Sequence, residues 1–145
     1  MIVYLDTSAM FKLYAAEPGA NQVRRAVAGS GAIYTHLVAY AEMCAGFARA
    51  VKLGRIASAA AAGYRRELDR DWEEFSVLIP DRQMIRRAGD LAMRFGLRGY
   101  DSVHLAAAES LLAAHGRHLP HFASFERTLN QAAEAVGLQV LAVEG

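Results

Sequence analysis

The first fourteen residues, MIVYLDTSAMFKLY, constrain the fold more than any other part of the chain. Residues 2–5 form an unbroken apolar run, which is typical of a strand buried on both faces inside a parallel sheet. Asp6 ends this run, and Thr7 and Ser8 can cap a helix that we expect to continue to about residue 14. Ligand crevices in open α/β sheets lie at the carboxyl ends of the strands, so Asp6 stands where a functional site is expected.

Strand-like runs and helical segments alternate along the rest of the chain. The sequence predicts strands at 32–35, 75–79, 121–125 and 139–143. It predicts helices at 21–28, 37–52, 56–74, 81–95 and 99–114, and a last one that ends at 136. This alternation favours right-handed crossovers and a mostly parallel sheet between two helical layers, a three-layer α/β/α sandwich. We found no repeat and no linker, so we expect a single domain over residues 1–145.

Composition narrows the class of protein. Hydrophobic residues make up 54% of the 145, more than a disordered chain would carry. Sixteen basic and fifteen acidic residues give a net charge of +1, so any nucleic-acid binding must come from a local patch or from metal ions. The single cysteine, Cys44, cannot form an internal disulfide, which suits a reducing compartment. The apolar runs are too short or too interrupted to span a bilayer, and no leader precedes the first strand, so we expect a cytoplasmic protein with no membrane partner.

Four carboxylates fall at special places in this scheme. Asp6 follows the first strand, Glu42 lies inside the helix after the second, Asp101 opens the helix before the fourth, and Glu126 follows the fourth. Taken singly, Asp6 and Asp101 could be helix N-caps, and Glu126 could be an acid that favours the positive end of a helix. These structural explanations stay open for the three residues at element ends.

Glu42 has no such explanation, because its flanks on both sides are apolar. A lone glutamate in an apolar segment is normally paired or turned to solvent. Its neighbours on the helix surface are Val38, Ala45 and Gly46, with Arg49 one turn further, and a solvated face would carry more charge. Glu42 is therefore predicted to face a recess. The buried stripe of the same helix is predicted at Leu37, Tyr40, Ala41, Cys44, Phe47, Ala48 and Val51.

Carboxylates that converge at one sheet edge would repel one another. At 4 Å each pair costs about 4 kcal/mol at an effective dielectric constant of 20. A hard divalent cation, Mg²⁺ or Mn²⁺, relieves this repulsion and prefers oxygen ligands. Such an ion lowers the pKa of a bound water, and two ions can hold both the attacking and the leaving oxygen of a phosphodiester. Phosphodiester hydrolysis is the predicted chemistry.

An ordered set of motifs resembles the PIN-domain family, and in particular the VapC-type toxins of bacterial toxin–antitoxin pairs. The matching residues run in family order over essentially the whole chain: residues 5–9 and 12–14, Glu42, residues 96–108 and 122–126, then Leu129, Ala132, Ala133, Gly137 and Leu138. The resemblance implies a PIN-like α/β/α sandwich and an endoribonuclease that depends on Mg²⁺ or Mn²⁺. It also implies a homodimer that a cognate VapB-type antitoxin inhibits.

The resemblance also assigns residues to the site. The family's acidic positions correspond to Asp6, Glu42 and Asp101. The fourth position usually holds aspartate and here holds Glu126, whose extra methylene moves the carboxylate outward by roughly one bond length. Coordination through a water, or a role at a second ion only, are therefore both open for Glu126. Thr7 and Ser124 match small hydroxyl positions, which could orient ligands or metal-bound waters.

Three residues are candidates for RNA binding. Lys12 could meet a phosphate, with a solvated lysine as the alternative. Arg98 is the nearest of several arginines to the Gly-Tyr-Asp turn and could contact the RNA backbone, with an exposed polar face as the alternative. Tyr100 could stack on a base, with packing beside the turn as the alternative. His104 shares a helix face with Asp101 and is predicted to be mainly structural or to support the ligands.

Two other classes of function stay open beside the nuclease. Phosphatases and receiver domains also place an aspartate after the first strand. However, Ser8 stands where a phosphatase would carry its second acid, and no lysine follows Asp101. The second alternative is a PIN-like module that binds RNA or protein without catalysis. The carboxylates act on the phosphate, so they do not themselves distinguish RNA from DNA.

Overall fold

Residues 1–115 and 119–141 are described by a computed structural model. Its strands are β1 (Ile2–Leu5), β2 (Ala32–His36), β3 (Ser76–Leu78), β4 (His121–Ala123) and β5 (Gln139–Val140). Its helices are α1 (Thr7–Phe11), α2 (Ala20–Ala28), α3 (Ala39–Lys52), α4 (Ser58–Trp72), α5 (Arg82–Phe95), α6 (Gly99–His115) and α7 (Arg127–Ala135). The strands form one all-parallel sheet in the order β3-β2-β1-β4-β5.

Strand β1 lies at the centre of the sheet and is covered on both faces. The side chains of Val3, Tyr4 and Leu5 are fully buried, and successive side chains point to opposite faces. Tyr4 joins a core formed with α5, α6 and α7, whereas Val3 and Leu5 join a core formed with helices α1 to α4. The predicted three-layer α/β/α sandwich is therefore confirmed, because helices pack on each face of a parallel sheet.

The order of the strands reverses between β1 and β4. The chain runs from β1 through β2 to β3 at one edge, and then returns to place β4 on the other side of β1. Beyond the end of β1, the Asp6 amide donates a hydrogen bond to the carbonyl of Ala123 at 3.1 Å. In open α/β sheets a crevice forms at such a switch point. The two residues that follow these strands, Asp6 and Ser124, therefore lie side by side.

Element ends that depend on local chemistry agree with the sequence predictions. The Asp81 carboxylate accepts a hydrogen bond from the Met84 amide at 2.8 Å and caps α5, as predicted. Gly96 ends the same helix at a φ of +67°, a backbone conformation that favours glycine. Within the described ranges, no helix is long and apolar enough to cross a membrane.

Other boundaries and one buried face differ from prediction. Helix α1 ends at Phe11 rather than near residue 14, because the chain continues in tighter turns with bonds such as Lys12 N–H to Ala9 C=O. The predicted stripe of α3 is largely wrong: its buried residues are Ala39, Met43, Phe47 and Ala50. Alanine fits a buried and an exposed face equally well. The spacing of apolar residues alone therefore predicts the wrong buried face for this alanine-rich helix. The last strand ends at 140, and residues 142–143 of the predicted strand lie outside the described residues.

Candidate active site

A cavity of about 430 Å³ lies beside the switch point of the sheet. All four predicted carboxylates contribute to its walls. Ala45, Gly46 and Arg49 line it together with Glu42, as the helical spacing predicted for a recess. The lining residues are Asp6, Thr7, Ser8, Phe11, Glu42, Ala45, Gly46, Arg49, Tyr100, Asp101, His104 and Glu126.

Asp6 is held in place by its own helix and by the loop after β4. Its side chain is 2% exposed, and its Oδ1 accepts hydrogen bonds from the Ala9 amide at 2.9 Å and the Ser8 hydroxyl at 2.7 Å. The Ser8 oxygen in turn accepts a hydrogen bond from the Phe125 amide at 2.9 Å. Burial raises the pKa of Asp6, while the nearby His104 and the hydrogen bonds lower it in part. Asp6 is thus both an N-cap and a buried carboxylate of the cavity.

Glu42 is oriented by two side chains from other elements. Its Oε1 accepts hydrogen bonds from the Thr7 hydroxyl at 2.9 Å and from His104 Nε2 at 2.8 Å. Among the described residues, the second oxygen, Oε2, receives no hydrogen bond. The sequence prediction of a recess around a paired glutamate agrees with this geometry.

His104 is itself fixed by Tyr4. Its ring is 1% exposed, and its Nδ1 lies 2.8 Å from the Tyr4 hydroxyl. Burial, and then the charges of Asp6 and Glu42, raise the pKa of Tyr4 well above its ordinary value, so the phenol keeps its proton. His104 Nε2 also lies 3.1 Å from the Thr7 hydroxyl oxygen, so the ring contacts Tyr4, Thr7 and Glu42 at once. The chain of hydrogen bonds therefore runs from the sheet core to the cavity wall.

Asp101 and Glu126 share one counter-charge, Arg98. The guanidinium places Nε 3.4 Å from Asp101 Oδ2 and Nη2 3.5 Å from Glu126 Oε2. Asp101 is 7% exposed; burial raises its pKa, Arg98 lowers it, and the charges of Asp6 and Glu126 raise it further. Because α6 begins at Gly99, Asp101 is its third residue and the N-cap explanation is wrong for it. Glu126 occupies the N-cap position of α7, but its side chain makes no capping hydrogen bond.

The donor set of the cavity fits a hard divalent cation. Every charged ligand is a carboxylate, and the charges of Asp6 and Glu126 raise the pKa of Asp101, so the cavity favours positive charge. Within residues 1–115 and 119–141, no three His, Cys, Asp or Glu side chains are already arranged around an ion position. In this arrangement Asp101 and Glu126 face Arg98, and Glu42 faces Thr7 and His104.

The remaining predicted residues lie at the edge of the cavity or outside it. Ser124 is fully buried, and its hydroxyl accepts a hydrogen bond from the Glu126 amide at 3.0 Å, so it holds the loop. Tyr100 is 45% exposed at the cavity edge, with the Arg98 guanidinium 4.9 Å from its ring centre. Lys12 lies outside this cavity, and its ammonium pairs with Glu17 at 3.1 Å. The Lys12 side chain is only 12% exposed, so the alternative of a solvated lysine is wrong.

Sequence reasoning missed two residues that organise the site. The sequence places Tyr4 only in the buried strand, yet its hydroxyl contacts His104, one hundred positions away. The sequence offers Thr7 and Ser8 as helix caps, but Asp6 caps α1, and Ser8 links Asp6 to the loop after β4. The signal for Ser8 was present, because a hydroxyl two residues after a carboxylate can donate to it. No local pattern pairs Tyr4 with His104.

The chain is similar to curated ribonucleases over nearly its whole length. A protein named Ribonuclease VapC45, from Mycobacterium tuberculosis (strain CDC 1551 / Oshkosh), is 32% identical over 143 residues, which cover 96% of this chain and 94% of that one. Ribonuclease VapC46, from Mycobacterium tuberculosis (strain ATCC 25618 / H37Rv), is 32% identical over 140 residues, covering 97% and 96%.

Solved structures share the fold at lower identity. FitAcB from Neisseria gonorrhoeae matches with a TM-score of 0.68 and 16% identity, covering 98% of this chain and 97% of that one. A toxin–antitoxin complex from Klebsiella pneumoniae matches with a TM-score of 0.59 and 13% identity, covering 86% of each. The family model described as PIN domain matches residues 3–135. Sequence, fold and family model agree, and the chain is a member of the PIN domain family.

Proposed function

We propose that this protein is an endoribonuclease that depends on Mg²⁺ or Mn²⁺ and acts as the toxin of a toxin–antitoxin pair. The observation that carries the proposal is the convergence of Asp6, Glu42, Asp101 and Glu126 on one cavity at the switch point of the sheet. The similarity to proteins named Ribonuclease VapC supports RNA as the substrate. We further propose that residues 1–145 act as one domain in the cytoplasm, as a homodimer restrained by a VapB-type antitoxin. A structural neighbour described as a toxin–antitoxin complex supports the antitoxin partner.

The chain's own residues would prepare the site for the ion and the RNA. Asp6, Glu42 and Asp101 would hold the ion, with Glu126 either bound through water or serving a second ion. When bound, a divalent ion supplies an activated water and stabilises negative charge on the phosphate. Thr7 and His104 fix Oε1 of Glu42, which leaves Oε2 able to turn to the cavity. Arg98 offsets part of the negative charge of Asp101 and Glu126, and its guanidinium is also available to a phosphate.

The direct experiment compares cleavage of one RNA oligonucleotide and the DNA oligonucleotide of the same sequence. We expect cleavage of the RNA in Mg²⁺ or Mn²⁺ and none after the metal is removed with a chelator. The DNA oligonucleotide tests whether cleavage requires the 2′-hydroxyl of the sugar, since the carboxylates act on the phosphate and do not themselves distinguish RNA from DNA. Cleavage that continues in excess chelator would refute the metal dependence. Mapping of cleaved ends in cellular RNA after induced expression would then identify the target.

Tyr4→Phe should lower RNA cleavage about tenfold, because it removes the hydroxyl that holds His104 in place and through it Glu42. The change deletes one hydroxyl and leaves the ring that packs in the core. The matched control is Tyr14→Phe, whose hydroxyl bonds Asp71 at 2.8 Å and which does not line the acidic cavity. Both variants should lose stability on heating by similar amounts, since each loses one hydrogen bond. Equal cleavage rates for the two variants would show that the Tyr4 hydroxyl has no role in the site.

One observation favours a second candidate, a PIN-like module that binds RNA or protein without cutting it. Arg98 lies beside both Asp101 and Glu126 and offsets part of their charge, so this pair of carboxylates depends less on a metal ion. Such a module would show no cleavage and no stabilisation by Mn²⁺. The shift of the melting temperature on titration with Mn²⁺ separates the two candidates.

A further inference from the structure

Arg98 links two of the four carboxylates of the acidic cavity. It directly precedes the first residue of α6, its side chain is 61% exposed, and it lies outside the residues that line the cavity. Its Nε lies 3.4 Å from Asp101 Oδ2 and its Nη2 3.5 Å from Glu126 Oε2, and both of these acids line the cavity. Arg98 therefore holds the two carboxylates from the rim of the cavity.

The four carboxylates are held in two different ways. Asp6 and Glu42 accept hydrogen bonds from amide, hydroxyl and imidazole groups. None of these groups carries the permanent positive charge of a guanidinium. Asp101 and Glu126 instead share the guanidinium of Arg98. One half of the acidic site therefore already has a cation of the chain itself beside it.

The contacts of Arg98 are long for an arginine paired with a carboxylate. Such pairs are often bidentate, with N–O distances of about 2.7–2.9 Å. Arg87 fits this description, because its Nε and Nη2 donate to the two oxygens of Glu109 at 2.7 and 2.8 Å and join α5 to α6. Arg98 spreads one exposed guanidinium over two carboxylates at 3.4 and 3.5 Å. Exposed ion pairs of this kind are weak, so another cation can replace Arg98.

The ring of Tyr100 offers the guanidinium a second contact. Arg98 Cζ lies 4.9 Å from the centre of this ring, and Tyr100 lines the acidic cavity. An aromatic face attracts a guanidinium whether or not a carboxylate is near. Arg98 can therefore leave the two carboxylates and stay at the rim, where its planar fork matches the oxygens of a phosphate.

We propose that Arg98 is a resident counter-ion that gives up Asp101 and Glu126 to the divalent ion and then pairs with the RNA phosphate. This inference rests on the proposed ribonuclease function and adds a competition to it. A divalent ion carries twice the charge of a guanidinium and prefers carboxylate oxygens. Arg98 thus opposes the binding of metal and favours the binding of RNA, so its loss should change the two affinities in opposite directions.

The first test is a calorimetric titration of Mn²⁺ into the protein without RNA. Arg98→Gln should bind Mn²⁺ about tenfold more tightly than the parent, because one positive charge beside a doubly charged ion is removed. The matched control is Arg86→Gln, which removes the same charge from an exposed position of α5 that does not line the cavity. It should bind Mn²⁺ as the parent does. Equal or weaker affinity in Arg98→Gln would overturn the proposal.

A cleavage assay tests the transfer to RNA. In Arg98→Gln the Mg²⁺ concentration that gives half-maximal cleavage should fall, while KM for the RNA should rise. A residue that only stabilised the turn before α6 would impair both quantities when it is removed, so opposite shifts distinguish the two roles. A KM equal to that of the parent would overturn the transfer to the phosphate.

The failure of this inference is distinguishable from the failure of the proposed function. Cleavage by the parent, with equal Mn²⁺ affinity in the parent and Arg98→Gln, removes the counter-ion alone. Tighter Mn²⁺ binding by the variant, without cleavage by the parent, keeps the competition and removes the ribonuclease function. No Mn²⁺ binding by either protein would remove both.

Discussion

Asp101→Asn is expected to lower the rate of RNA cleavage at least about 100-fold while leaving the protein folded. The substitution keeps the size of the side chain and removes one negative charge from the cavity, so it weakens the attraction for a divalent ion. Asp90→Asn, on the exposed face of α5, is the matched control and should cleave at the parent's rate. The measurement is single-turnover cleavage in saturating Mg²⁺. A rate for Asp101→Asn within threefold of the parent would exclude Asp101 as a ligand.

The same variant should be at least as stable as the parent when no metal is present. The folded-state pKa of Asp101 is raised above the ordinary 3.8, chiefly by burial. The ionised carboxylate therefore lowers the stability of the folded state at a pH above its raised pKa, and this loss is relieved as the pH falls through that value. The asparagine carries no such charge. Its melting temperature at pH 7 in chelator should equal or exceed that of the parent, and its gain in stability towards acidic pH should be smaller.

Mn²⁺ should raise the melting temperature of the parent protein by about 5–10 °C at one hundred times its Kd. An ion that binds only the folded state at this excess adds about 2.7 kcal/mol to the free energy of unfolding. Asp6→Asn and Asp101→Asn should lose most of this shift. Asparagine caps a helix as well as aspartate does, so Asp6→Asn removes the charge and keeps the cap of α1.

The controls for the titration are Asp90→Asn, which should keep the full shift, and K⁺ at matched ionic strength, which should give none. A parent protein with no shift at millimolar Mn²⁺ would support the non-catalytic module. A shift that survives in both cavity variants would place the ion elsewhere. Thermal unfolding monitored by circular dichroism is sufficient for all of these comparisons.

Much of the fold was predictable because its signals are local. The apolar run from Ile2 to Leu5 has the composition of a central parallel strand, and β1 is fully buried from Val3 to Leu5. Asp81 and Gly96 bound α5 through a side-chain cap and a left-handed glycine, both of which depend only on neighbouring residues. The alternation of strands and helices then predicted a mostly parallel sheet, and the observed one is entirely parallel.

The grouping of the carboxylates followed from the same reasoning, whereas their partners did not. The end of a strand predicts the position of Asp6, and the helical periodicity around Glu42 predicts that it faces a recess. Both residues line the same cavity. The bridge of Arg98 between Asp101 and Glu126 depends on the rotamer of a long side chain, which no pattern specifies. The pairing of Tyr4 with His104 depends on how α6 packs against β1. Contacts of this kind arise from tertiary packing and are invisible to periodicity.

The central claim is that Asp6, Glu42 and Asp101 together bind a divalent cation. The most direct measurement is the anomalous scattering of Mn²⁺ in crystals of the protein grown or soaked with the ion. We predict an anomalous peak within bonding distance of carboxylate oxygens from all three residues. Occupancy of that peak should fall in crystals of Asp101→Asn. Crystals at saturating Mn²⁺ with no peak in this cavity, from protein that still cleaves RNA, would contradict the claim.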